Sequence, residues 1–205
     1  MGYQAVVSAL RKRIGVALAI LGAAALALAW VALVRRPFPS DRTPEGAYLR
    51  IALAVTGDRP RDVFAYLEQD AQWASYTIRD ERAKTRARVR ASYPEPERTR
   101  LLDAYRAEAE APDGADVFVL FAKRRGWIGR LRKDMSGVKS VEIDGARATV
   151  VTARGTRYPF RRRDNGMWGL TIFTADLMAE AERASRDADV EEAAASDFDR
   201  VRVKE

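Results

Sequence analysis

The sequence predicts an α+β protein: an N-terminal transmembrane helix, a domain of helices followed by an antiparallel sheet, and an acidic C-terminal helix. Three observations carry this. Ile14 to Val34 is a run of 21 residues without a charge. Between residues 43 and 133 apolar side chains recur at steps of three and four, the period of a helix with one buried face. From Gly137 the period drops to two and tight-turn dipeptides punctuate the chain, the pattern of short antiparallel strands.

In chain order, a basic tail over residues 1–13 ends in Arg11-Lys12-Arg13 and leads into the apolar run. At a rise of about 1.5 Å per residue, a helix over residues 14–34 spans roughly 30 Å, the thickness of a bilayer's hydrocarbon core. In lipid every backbone N–H and C=O must be paired within the segment, which an uninterrupted helix achieves. Trp30 and the basic residues at both flanks suit the headgroup levels. Ala27-Leu28-Ala29 also has the small-x-small form of a signal-peptide cleavage site. The run nevertheless continues to Val34, so the reading is an uncleaved signal anchor. Arg11, Lys12 and Arg13 balance Arg35, Arg36 and Arg42, and the acid-free N-terminal side tips the N-terminus inwards. The soluble domain is then expected on the non-cytoplasmic side, periplasmic or extracellular. The lipid bilayer is the first partner expected, and an envelope protein or a second copy of the chain is the next.

Composition removes several classes of chemistry. The chain has no cysteine and no histidine, which excludes disulfides, thiolate metal sites, a cysteine nucleophile and histidine-based triads. The sequence holds no P-loop, dinucleotide fingerprint, metal-spaced cluster or internal repeat, so no cofactor, metal ligand or catalytic residue is assigned. The net charge is +7, with 36 basic and 29 acidic residues. Five of the basic residues lie in the first 36 positions without an acid among them, which leaves 31 against 29 for the rest. The basic balance therefore reports membrane flanks, and it argues against a nucleic-acid partner.

Residues 35–42 form a linker stiffened by Pro37 and Pro39. Thr43-Pro44-Glu45 reads as a helix start, and Tyr48, Ile51, Ala52 and Val55 follow at helical spacing. A second helix opens at Pro60, carries the stripe Val63, Leu67, Ala71, Ala74 and Ile78, and runs into the charged stretch 79–90. Ser92 and Glu95 have capping-box spacing before a helix with Leu101, Leu102 and Tyr105. Residues 116–122 read as a buried strand or a buried helix, with helix preferred, and a further short helix follows Gly126. Four strands then carry Val141 and Ile143, Ala148, Val150 and Thr152, Tyr158 and Phe160, and Trp168, Leu170 and Ile172. Turns are expected at Asp144-Gly145, Arg154-Gly155 and Asp164-Asn165-Gly166. Pro159 cannot donate to a ladder, so its strand is expected at an edge or with a bulge. Residues 174–205 hold ten acids and five bases. They read as a solvated helix over 175–195 with Leu177, Ala181, Ala184 and Ala188 on one face, fraying at its end.

The helix start Thr43-Pro44-Glu45, the hairpin Val141–Val150 and the strand Gly166-Met167-Trp168-Gly169-Leu170 behind Tyr158-x-Phe160 resemble the NTF2-like superfamily. The resemblance covers residues 43–173. It implies helices wrapped by a curved antiparallel sheet that forms a cone with a pocket. Members of that superfamily include enzymes as well as pure binding or assembly modules. The resemblance also implies a membrane-anchored envelope module. The histidine of its dehydratase-like members is absent here.

Six aromatics, Tyr66, Trp73, Trp127, Tyr158, Phe160 and Trp168, are the candidates to line such a pocket. The plainer reading of the same six is an ordinary core. For proton transfer Asp116 and Asp164 are the nearest candidates, against a helix-cap or surface role for the first and a turn role for the second. That chemistry is the basis of the alternative, a membrane-tethered enzyme working by Asp/Tyr acid–base catalysis. Three basic groups, 79–90, 123–133 and 161–163, suit phosphates of lipid headgroups or of nucleic acid, headgroups ahead for a tethered domain, against the plainer reading of a solvated surface.

Overall fold

Thr43 starts the first helix as its sequence signal requires. Its Oγ1 accepts the N–H of Gly46 at 3.1 Å, and Pro44 takes the first position of α1 (Pro44–Thr56). A computed structural model of the chain describes residues 38–203. The predicted basic tail and transmembrane helix over 14–34 lie outside the described residues. Among the described residues no helix is long and apolar enough to cross a membrane. The α+β class is as predicted, with eight helices and one four-stranded antiparallel sheet among the described residues.

The helix predicted from Pro60 is two helices, α2 (Pro60–Phe64) and α3 (Gln69–Ser92). The break has a cause in the sheet. Leu170 N donates to Tyr66 O at 2.8 Å and Glu68 N to Leu170 O at 3.0 Å, so residues 66–68 run as a short extension along the last strand. The stripe Val63, Leu67, Ala71, Ala74 and Ile78 is buried throughout, shared between the two helices and the extension. α3 continues to Ser92, which corrects the capping box. Ser92 Oγ donates to Asp199 Oδ2 at 3.0 Å, and the Glu95 carboxylate takes the N–H and hydroxyl of Thr99 at 3.2 and 2.8 Å. α4 (Glu97–Ala104) and the single turn α5 (Arg106–Ala109) follow.

The run 116–122 is helical, inside α6 (Gly114–Arg124). Its cap is Asp113, whose Oδ1 accepts from Ala115 N at 2.8 Å and Asp116 N at 3.1 Å. Asp116 lies in the first turn and is not the cap. Gly126, at φ 66°, makes the left-handed step into α7 (Trp127–Asp134).

The sheet is a meander of β1 (Val138–Asp144), β2 (Arg147–Thr152), β3 (Arg157–Arg162) and β4 (Trp168–Leu170) in the order β1-β2-β3-β4. Ala148, Val150, Tyr158, Phe160, Trp168 and Leu170 are buried, as the period-two reading requires. Ile143 and Ile172 are corrections: Ile143 is 61% exposed because β1 is an edge strand, and Ile172 is 39% exposed because it lies past the end of β4. β3 lies between β2 and β4, but the β3–β4 ladder begins at Phe160, so β3 has an edge at Pro159. Thr171 N donates to Pro159 O at 3.1 Å, but proline has no N–H to return, and β4 ends at Leu170.

The last helix, α8 (Thr174–Arg202), is longer than predicted and lies along α3 in the same direction. Leu177, Ala181, Ala184 and Ala188 are all buried, as their spacing predicts. The expected solvated, fraying end is instead held down by a second small core. There Tyr93 and Phe198 meet with ring centroids 4.9 Å apart beside Val89, Leu101 and Ala195.

Candidate functional site

The six aromatics expected around one pocket do not converge. Trp127, Tyr158, Phe160 and Trp168 are core residues. Trp127 stacks on Phe173 with centroids 4.5 Å apart, and Tyr158 lies 5.3 Å from Tyr48. Trp168 Nε1 donates to Arg42 O at 3.1 Å and ties the linker to β4. Tyr66 is half-buried in a shallow depression with Arg50, Arg59 and Asp62. Trp73 is 62% exposed.

Trp127 and Tyr158 do share one cleft, of about 320 Å³, between α7, β3 and the start of α8. Arg130, Asp134, Arg157 and Asp176 stand around it. The Tyr158 hydroxyl is buried without a hydrogen-bond partner. Burial, with Tyr48 and Asp134 adding to it, pushes this phenol up to about 12, so at neutral pH it is a proton donor and not a base. The two carboxylates considered for proton transfer are elsewhere. Asp116 Oδ2 is 2.6 Å from Arg61 Nη1, and Asp164 is exposed in the β3–β4 turn. Four carboxyls are shifted down, the opposite direction from a general acid. Thr99 and Arg98 act on Glu95, Arg100 on Glu97, against burial the backbone N–H groups of Asp116 and Ala115 with Arg61 on Asp113, and Arg88 and Ser92 on Asp199. Among the described residues no group of His, Cys, Asp or Glu is arranged to hold a metal ion.

A second opening has a different character. A shallow groove of about 450 Å³ runs between the N-terminal halves of α3 and α8. Ala74 and Ala181 form its floor, Trp73, Thr77 and Met178 its walls, and Asp70, Glu182 and Arg186 its rim. Met178 is 44% exposed beside Trp73. The sequence holds the signal for this exposure. Trp73 is two residues from Ala71, about 200° around the helix, and so lies off the buried stripe.

Only Arg82 and Arg86 of the three basic groups, both in α3, are buried, while Lys84, Arg90, Lys123, Arg130, Lys133 and Arg162 are exposed, and many of the arginines are ion-paired. Arg82 lies at ion-pair distance from Asp187 (2.7 Å) and Glu108 (3.5 Å), though out of line with its N–H bonds, and its guanidinium sits 4.5 Å over the Tyr105 ring. Arg86 reaches Glu110 at 2.6 Å and Leu102 O at 3.0 Å. Arg88 joins Glu192 and Asp199 at 2.9 and 2.7 Å. In the second group Arg124 holds Glu108 at 3.0 Å, and Arg125 holds Glu180. In the third, Arg161 pairs with Glu68 at 2.6 Å, Arg163 donates to the carbonyls of Ala65 and Leu67, and Arg162 is exposed. Residues two apart on α3 meet acids because that helix has neighbours on several sides. No protein-family model, curated protein or solved structure matches this chain.

Proposed function

We propose that the chain is a single-pass, membrane-anchored, non-catalytic assembly module of the cell envelope. In this reading an uncleaved anchor over residues 14–34 holds a domain of the NTF2-like kind on the non-cytoplasmic side. The uncharged run supports the anchor, and the order of helices before a meander supports the domain type. One observation carries the assembly role: Trp73 and Met178, both exposed, line one groove over an alanine floor. An exposed tryptophan beside a shallow apolar groove is the composition of an interface anchor, the residue type that dominates binding energies. The test is native electrophoresis of the full chain extracted from its own membranes in mild detergent. The wild type should migrate as a complex larger than one chain, and Trp73→Ala should reduce it to the single chain. A wild-type protein that migrates as a single chain overturns the reading.

A second reading, the membrane-tethered enzyme with Asp/Tyr chemistry, has one observation in its favour. The unpartnered Tyr158 hydroxyl lies in a cleft that also contains Asp134. Under that reading a cleft substitution such as Asp134→Asn abolishes a turnover. Under the assembly reading it leaves the complex intact.

A further inference from the structure

We infer that the occupant of the α3–α8 groove is the same groove of a second copy of this chain, the two related by a two-fold axis. The inference rests on the assembly reading and names its partner. α3 and α8 run in the same direction, so the groove has two chemically different ends: Asp70, Trp73 and Met178 at one, and the ion pair of Glu182 and Arg186 at the other. From Met178 to Arg186 is about 12 Å along the helix. A two-fold axis lying in the plane of the interface and running across the groove turns one copy end for end over the other. It places Asp70 against the partner's Arg186, and by symmetry makes the same contact twice. Both side chains are poised for this. Asp70 is 46% exposed and ion-paired to Arg161 at 3.6 Å, and Arg186 is 67% exposed and ion-paired to Glu182 at 3.6 Å, so each home pair is long and solvent-screened and exchanges at little cost for a contact across the interface. The alanine floor leaves room for an indole. Trp73, at one end, comes down over the smaller Thr77 and Ser185 side of the facing groove. Anchoring both copies in one bilayer raises their effective concentration, so a groove of this modest size suffices for pairing.

The test co-expresses two differently tagged full-length copies and isolates one tag from detergent-solubilised membranes. Both tags should be recovered together. Trp73→Ala should lower that recovery at least about tenfold, the effect of an interface anchor. Asp70→Arg alone and Arg186→Asp alone should each break the pair, because each sets like charges opposite, and the doubly reversed chain should restore it. All three positions are exposed, and circular dichroism of each variant verifies the fold. A complex larger than one chain in which only one tag is present overturns the second copy as partner but leaves the assembly reading standing. Single chains throughout overturn both. Mixed recovery that ignores all three substitutions overturns the groove as the interface.

Discussion

Replacing Arg82 probes the ion-paired centre between α3 and the elements around it. The side chain is 8% exposed, between Glu108 and Asp187 and over Tyr105. Removing one partner of a buried pair costs about 3–5 kcal/mol, because a charge is left without compensation. Two features lower the figure here. Glu108 keeps Arg124 at 3.0 Å, and Asp187 is 36% exposed and can rehydrate. The lost contact with the Tyr105 ring adds about 1 kcal/mol. Arg82→Ala should therefore cost about 3 kcal/mol in total. For a domain of this size each kcal/mol shifts the melting temperature by about 2–4 °C, so a fall of about 6–12 °C is expected. Glu108→Gln in the Arg82→Ala background removes a buried carboxylate left with Arg124 alone and should recover part of the loss, with a coupling of about 1–2 kcal/mol. Thermal and urea unfolding of the full chain in micelles, run as a double-mutant cycle, measures both quantities. A single-variant loss below about 1 kcal/mol, or strictly additive costs, would refute the reasoning.

The shifted carboxyls predict an acid limit. Glu95, Glu97 and Asp199 are held below the ordinary carboxyl range by hydroxyl and arginine partners. The folded chain thus binds fewer protons than the unfolded chain as pH falls through that range, and their contribution, intact at pH 7, is lost between about pH 5 and 3. Melting temperatures should fall across that window, and a rise on acidification would contradict the assignment. Gly169→Ala should cost about 1–3 kcal/mol, because a Cβ there lies 2.6 Å from Glu68 Cα and 2.7 Å from Leu67 O, and backbone cannot swing aside. Thermal melting and faster exchange of the Leu170 amide read this out. Ala184→Leu forces a large side chain into the fully buried α3–α8 seam and should cost a similar amount, seen as a lower melting temperature and earlier proteolysis of α8.

Local chemistry is what the sequence made legible. Thr43-Pro44 opens a helix because the cap and the fixed φ act within four residues. The meander was readable because Gly145, Gly155 and Gly166 sit at positive φ in its three turns. The stripe Leu177, Ala181, Ala184 and Ala188 was readable as a face, though not which helix would cover it. What stayed hidden depends on distant residues. Ala65–Glu68 leaves the helical pattern because Leu170, a hundred positions on, offers it a ladder. Arg82, Arg86 and Arg88 look solvated until Glu108, Glu110, Asp187, Glu192 and Asp199 are brought to them. Phe198 and Tyr93 extend α8 past the alanine stripe by a contact that no local period encodes. For the candidate pocket, aromatic content alone could not separate core from surface. The period could have done so for Trp73, which stands off the stripe of its own helix.

Where the C-terminus lies, and on how long a chain, tests the membrane-anchored envelope module most directly. One reporter active only outside the cytoplasm and, separately, one active only inside would be fused after Glu205, and the membrane-bound product sized. The module predicts activity of the outside reporter on a full-length, membrane-embedded chain. Activity of the inside reporter, or an exported product shortened by about thirty residues, would contradict it.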